Sequence, residues 1–419
     1  MFLIDRIGEL LTMDARGGAP LRGKDMGIPG FVADAAVVID GEKIADYGKR
    51  EEILKKYDGR IDESVDAEGA LVTPGLVDPH THAVFVGTRE LEFEMRIKGK
   101  SYMEIAAAGG GILNTTKRVR EADVDALVKS ALFRFDRMLS NGTTTVEVKS
   151  GYGLSTEDEL KMLEAIARLR ELVPQDIVAT FLGAHEIPAE YREKPNGRRE
   201  YVDLVVNEML PKVAERKLAK FCDVFCEVGV FDLDDTRKIL TRAKELGLGL
   251  KLHADEIEPM GGTELGVELG ARSVDHLVAV SERGISMLAT SETAAVLLPG
   301  TSFFLSLGKY APGRQLIDAG AIVALATDFN PGSSPTTSMP LVMSIACTQM
   351  RLTPAEAWVA ATINAAYALG IEFATGSITR GKLADLVIWD AENHRQVPYF
   401  YGEHLTQVVI KRGKVIWHK

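Results

Sequence analysis

Three cysteines in 419 residues are too few, and too odd in number, for a disulfide framework. Cys222 and Cys226 share the run FCDVFCEVGVF, and Cys347 stands far from both. A Cys-x3-Cys pair is half of a zinc site at most, so buried strand cysteines in a reducing cytoplasm are the expectation. Basic residues are also short: 49 Lys and Arg face 60 Asp and Glu, a formal charge of −11. That deficit argues against nucleic acid or an anionic membrane as partner, since both need a basic surface. A small anionic substrate stays possible, because a few local cations outweigh a distant negative surface. No apolar stretch approaches the roughly 20 residues of a membrane span. Asp5 and Arg6 interrupt the apolar start MFLIDRIGEL before a signal-peptide core forms. AAAGGGIL, around Gly109–Gly111, lacks the following Lys-Ser/Thr of a phosphate loop and reads as a flexible loop.

What is present is an ordinary globular balance, 46% apolar and 26% charged, at a length that suits one large domain plus a small one. The two ends share a β-rich texture. AAVVIDGEKIADYG is two β-runs around a Gly-containing turn, and KLADLVIWDAE and TQVVIKRGKVIWHK repeat the pattern near the C-terminus. Neither end has enough strands to stand alone, so residues 1–73 and 374–419 are expected to form one composite β-sandwich domain. Between them, over 74–373, eight apolar runs alternate with helical segments, which predicts a TIM (β/α)8 barrel. TEDELKMLEAIARLREL is one such helix, with Leu160, Leu163, Ile166 and Leu169 on one face and Ser155 or Thr156 as cap. The barrel strands are expected to be continuously apolar, with polar residues confined to their C-terminal ends, where a barrel keeps its active site. Those residues are His80, His82, Tyr152, His185, Glu227, His253, His276 and Asp328. Residues 83–121 are long for a first βα connection and suggest a lid.

His80 and His82, at i and i+2 of one strand end, project together. By themselves they are half of a metal site or two polar turn residues. His253, ending the fifth run, and Asp328, ending the eighth, complete a three-nitrogen, one-oxygen shell with an open position for water. Glu256 is a carboxylate beside that shell and suits proton transfer. Asp255 competes for that task, but capping the next helix suits it better. His276 is placed to stabilise an oxyanion or assist the transfer, or else to serve as a structural imidazole.

PGLVDPHTH, HADE, VDH, ATDFNPG and GKLADLVIWD, in this order, resemble the amidohydrolase superfamily. The resemblance implies a barrel, a small β-domain from both termini, and metal-activated water. HTHAVFVGTRELEFEMRIKGKSYMEI, EVKSGYGL, TFLGAHEIP, LHADEI and DFNPGSSPT are similar to the imidazolonepropionase family of histidine degradation. That resemblance implies hydrolysis of 4-imidazolone-5-propanoate to N-formimino-L-glutamate. It implies one zinc or iron ion on His80, His82, His253 and Asp328, with Glu256, His276 and Asp328 catalytic. It places Arg89, Tyr152, His185 and Glu256 on substrate, with Asn330, Gly332 and Ser333 in a ligand-binding loop, and it suggests a homodimer. Arg89 suits the propanoate because guanidinium grips a carboxylate with two prongs. Its plainer alternative is an ion pair with Glu90 or Glu92, while Tyr152 and His185 have packing alternatives. Lys149, near a strand end, raises the question of a second metal; EVKSGYG favours one. A superfamily deaminase acting on a cyclic amine or nucleobase is the rival reading, and a scaffold without catalysis is a more distant one.

Overall fold

The computed structural model describes residues 1–14, 20–100, 104 and 109–419. Eight strands form a parallel sheet in strict sequence order: Leu76–Asp78, Thr143–Lys149, Asp176–Ala184, Phe221–Cys226, Gly249–Ala254, Ser273–His276, Ala294–Leu297 and Ile322–Leu325. They are counted here as the first to eighth barrel strands. Each expected β-run supplies one of them. Helices between successive strands cover the outside, as parallel connections require. Ser155 caps the helix Thr156–Leu172 by accepting from the Asp158 N–H, so the carboxylate-rich first turn meets the positive helix end.

The first and eighth strands meet through the segments just beyond their ends. Thr81 and Phe329 form a parallel bridge, the Asp328 N–H donates to the His80 carbonyl at 3.1 Å, and the His82 N–H donates to the Phe329 carbonyl at 2.8 Å. Asp78 accepts from the Thr327 N–H and hydroxyl across the same seam, at 3.1 and 2.5 Å. The backbone that carries His80, His82 and Asp328 is therefore the backbone that closes the barrel. Closure hydrogen bonds fix these side chains before any ligand contributes.

The barrel strands are not continuously apolar. Side chains alternate across a strand, and here the alternation is Thr145-Val146-Glu147-Val148-Lys149, Leu250-Lys251-Leu252-His253 and Ser273-Val274-Asp275. Val146, Val148, Leu250, Leu252 and Val274 join the main apolar cluster with the covering helices. Glu147, Lys149, Asp223, Lys251 and Asp275 are fully buried charged groups within the strands. The expectation that polar residues sit only at strand ends fails here, because the barrel holds a layer of paired charges.

A second sheet has eight strands drawn from both ends of the chain. Its N-terminal part comprises Phe2–Leu11, Phe31–Asp40, Lys43–Lys49, Glu63–Asp66 and Leu71–Pro74; its C-terminal part comprises Leu386–Trp389, Thr406–Lys411 and Lys414–His418. Leu71–Pro74 pairs antiparallel with Leu386–Trp389, which joins the two parts. Ile4, Ile7, Leu10, Val37, Ile39, Leu386 and Ile388 form its own apolar cluster. Both buried strand cysteines and the half-buried Cys347 are free. Among the described residues, no helix is long and apolar enough to cross a membrane. In the long first connection, Glu90–Ile97 and Ile112–Glu121 are helical. Residues 101–103 and 105–108, which carry parts of the expected lid and of the Ala106–Gly111 loop, lie outside the described residues.

Candidate active site

A cavity of about 200 Å³ opens at the C-terminal ends of the barrel strands. His82, His253, His276, Glu256 and Asp328 line its floor, and Arg89, Tyr152, His185, Asn330 and Ser333 line its walls. His80 lies beneath, fully buried. The expected site residues converge here except Gly332, which is absent from the lining and packs against Arg89, and the strand-end Glu227, which lines a neighbouring cavity.

The imidazoles of His80, His82 and His253 cluster at and just beneath the floor. Their rings lie close together, with centroids of His80 and His253 4.5 Å apart and of His80 and His82 5.3 Å apart. His80 Nδ1 is 2.6 Å from Asp275 Oδ2, and His253 Nδ1 is 3.1 Å from Asp223 Oδ1. A carboxylate only accepts, so each Nδ1 carries the proton and each Nε2 presents a lone pair. Both Nε2 atoms, and Nδ1 of His82, are buried with no hydrogen-bond partner. Buried imidazole nitrogens without partners, such as Nε2 of His80 and of His253, are costly unless a cation joins them. One ligand atom each from His80, His82 and His253 fall within 4.8 Å of one another, as do those from His80, His276 and Asp328. Asp328 Oδ1 stands 3.5 Å from Nε2 of both His80 and His82, while its Oδ2 accepts from the Thr301 hydroxyl at 2.6 Å. This donor set fits a transition metal.

The backbone is strained where it aims these groups. Asp255, His276 and Asp328 all have left-handed φ, at 50°, 80° and 50°. Asp and His tolerate this region better than most residues, at a cost of about 1–3 kcal/mol each. Asp255 spends its side chain on the next helix: Oδ1 accepts from the N–H groups of Gly261 and Gly262, and Oδ2 from the N–H and hydroxyl of Thr263. Glu256 is thereby left free to face the cavity. Burial and the nearby Asp328 carboxylate push Glu256 up to about 8. Its Oε2 is 3.4 Å from His276 Nδ1. Burial holds His276 well below its ordinary value and hence neutral. Burial likewise pushes Asp328 up to about 6.

On the walls, His185 Nδ1 donates to the Gly151 carbonyl at 2.9 Å, leaving Nε2 as acceptor, and burial lowers this imidazole to about 3. Its ring stacks on His82 with centroids 4.9 Å apart, and Tyr152 lies 5.4 Å from it. Glu159 shapes the loop under both, accepting from the N–H groups of Gly151, Gly153 and Leu154. Arg89 does both things the sequence allows: it pairs with Glu92 at 2.6 Å and reaches the cavity. Arg96 donates to the Gly332 carbonyl at 3.0 Å beside it. Asn330 organises its own loop, donating to the Asp328 carbonyl and accepting from the Gly332 and Ser333 N–H groups. A Cβ on Gly332 would lie 2.2 Å from Arg89 Nη1, so glycine here makes room for the guanidinium.

Lys149 does not reach the imidazole cluster as a ligand. Its ammonium is 2.8 Å from Glu147, 2.8 Å from Asp223 and 3.8 Å from Asp275. Asp223 and Asp275, which hold two of the imidazoles, were not singled out from the sequence. Their signal was a charge inside an apolar strand, in FCDVFC and RSVDH.

An amidohydrolase family model matches residues 71–416. An imidazolonepropionase of Geobacillus kaustophilus is 51% identical over 99% of this chain and 97% of its own length. One from Alkaliphilus oremlandii is 48% identical over 99% and 98%. Among solved structures, an Escherichia coli guanine deaminase superposes with a TM-score of 0.74 at 15% identity, covering 100% of this chain and 99% of its own. A zinc-bound adenosine deaminase from Xanthomonas campestris gives 0.70 at 18%, covering 99% and 92%. Likeness at that identity speaks for the fold alone. Together the family match and the imidazole cluster support a divalent metal at this site. The chain belongs to the amidohydrolase family and, within it, to the imidazolonepropionases.

Proposed function

We propose that this chain hydrolyses 4-imidazolone-5-propanoate to N-formimino-L-glutamate, using zinc or iron on His80, His82, His253 and Asp328. The observation that carries the reading is the polarity of the cavity: partnerless imidazole nitrogens on the floor and a guanidinium on the wall. A cyclic amide with a carboxylate tail matches that polarity. The metal, when bound, supplies Lewis acidity and brings water near deprotonation at neutral pH.

The residues divide the remaining work. Arg89 holds the propanoate in a charge-assisted pair, and Glu92 holds Arg89 in place. His185 Nε2 accepts from the substrate ring N–H. Tyr152, its hydroxyl kept protonated by burial, offers a donor. Ser333 offers a hydroxyl from the Asn330 loop. This arrangement sets the amide carbonyl over the metal ligands, which is the orientation a hydrolysis needs. Glu256 takes the proton from water and delivers it to the departing ring nitrogen, so the C–N bond breaks without expelling an amide anion. Burial and the Asp328 carboxylate raise this carboxyl above its ordinary value, which favours its holding a proton in transit. His276, held neutral, donates to the oxyanion as it forms. Asp328 serves as ligand and helps to keep Glu256 basic.

The test is steady-state turnover of fresh 4-imidazolone-5-propanoate, with chelator-stripped and re-metallated protein side by side. Turnover that disappears with the metal and returns with it supports the reading. A fully metallated protein without turnover overturns the substrate.

A further inference from the structure

Beneath the metal-site imidazoles lies the buried charge layer, which no step of the proposed reaction uses. We infer that Lys149 is the positioning residue that orients two metal-facing imidazoles at once, through Asp223 and Asp275. The inference rests on the metal reading above.

The geometry runs in two branches from one ammonium. On the first, Lys149 Nζ donates to Asp223 Oδ2 at 2.8 Å, and Asp223 Oδ1 accepts from both the backbone N–H and Nδ1 of His253, at 3.2 and 3.1 Å. On the second, Nζ stands 3.8 Å from Asp275 Oδ2, which accepts from His80 Nδ1 at 2.6 Å. The third partner, Glu147 at 2.8 Å, is itself pinned by the Thr180 hydroxyl. Lysine, both aspartates and both imidazoles are nearly or fully inaccessible to solvent. The strands involved are the second, fourth and sixth, with the imidazoles at the first and fifth, so one side chain spans the barrel interior.

The chemistry explains why a lysine belongs there. A carboxylate behind an imidazole fixes its proton on Nδ1, leaves Nε2 for the metal and raises its basicity. Two such carboxylates in one dry layer repel each other unless a cation stands between them and holds both in place. An ammonium with three donors can face three carboxylates, which a guanidinium fork cannot do in this space. Lys251 shares the second branch, its Nζ also 3.8 Å from Asp275 Oδ2 while donating to the Pro79 carbonyl at 3.2 Å, but of the two lysines it is Lys149 that also pairs with Asp223, at 2.8 Å.

The experiment measures cobalt(II) binding by competition with a chromophoric chelator, together with the visible spectrum of the bound cobalt. It compares the parent, Lys149→Met, the Asp223→Asn/Asp275→Asn pair, and the triple variant. Lys149→Met is expected to weaken cobalt binding roughly 10- to 100-fold and to alter the ligand-field bands. The triple variant is expected to bind as weakly as the double and no more so, because the lysine acts through those two aspartates. A parent that binds no cobalt overturns the metal reading and this inference with it. A parent that binds, beside a folded Lys149→Met variant of equal affinity and spectrum, overturns this inference alone. If Lys149→Met does not fold, the double-to-triple comparison decides: equal affinity supports the inference, and a further tenfold loss overturns it.

Discussion

A methyl group at position 332 separates the two roles that Arg89 combines. In Gly332→Ala the new Cβ would lie 2.2 Å from Nη1 and 2.7 Å from Cζ of Arg89. Ordinary contact needs about 3.5 Å or more, so the guanidinium must retreat by more than an ångström. Backbone strain adds nothing, because Gly332 is outside the positive-φ set. The Asn330 acceptor on the Gly332 N–H is also kept. The atoms in the way are the far end of a flexible side chain, so the fold is expected to keep its Tm within a few degrees. Loss of one charge-assisted hydrogen bond to the propanoate costs about 1.5–3 kcal/mol, which corresponds to roughly a 10- to 150-fold fall in kcat/KM. The loss should fall mainly on KM, because the carboxylate is held equally in the ground and transition states. The assay is steady-state kinetics on the propanoate substrate and on an analogue whose tail carries no charge. The analogue should be nearly indifferent to the substitution. Equal KM for the propanoate substrate in parent and variant would remove Arg89 from the carboxylate subsite.

Other outcomes follow from the same geometry. Glu256→Gln should retain the metal and lose about 10²- to 10⁴-fold in kcat; near-parental turnover would end its role as proton carrier. Asp255→Ala should lower Tm by removing four acceptor contacts at the start of the next helix, and an unchanged Tm would contradict the capping assignment. In the terminal sheet, burial pushes Asp46 up, but hydrogen bonds from Lys56, Arg380 and the Tyr47 N–H outweigh it and leave the carboxyl below its ordinary value. The unfolded chain then binds the proton first as pH falls below about 4, so stability drops through that window and on downward. Asp46→Asn should flatten this acid limb of Tm against pH, and parallel limbs in parent and variant would refute the account.

The barrel was legible because each βα unit carries its own local signals, an apolar run followed by a capped helical period. Ser155 ahead of three acidic residues marks one helix start, and the structure places it there. The clustered histidines were legible for a related reason: His80 and His82 share one short motif, and motifs survive reading in one dimension. Asp223 and Asp275 were not legible. Each sits alone in an apolar strand, and its meaning depends on a partner from another strand, Lys149, 74 positions from Asp223. Gly332 is a similar case. The resemblance places it in a ligand-binding loop, and the structure adds that Arg89 fills the space beside it. Barrel closure was hidden as well, since the Thr81–Phe329 bridge joins residues nearly 250 positions apart. Local periodicity therefore predicted the scaffold, short motifs predicted the histidine cluster, and pairing across the barrel supplied what holds it.

The account is tested most directly by turnover of 4-imidazolone-5-propanoate in ¹⁸O-water by the metal-bound protein, with the product read by mass spectrometry. It predicts a product one water heavier than the substrate, carrying a single ¹⁸O in the new carboxylate, with no ammonia released. A metal-bound protein that leaves this substrate intact, and instead releases ammonia from a cyclic amine or nucleobase, would contradict it.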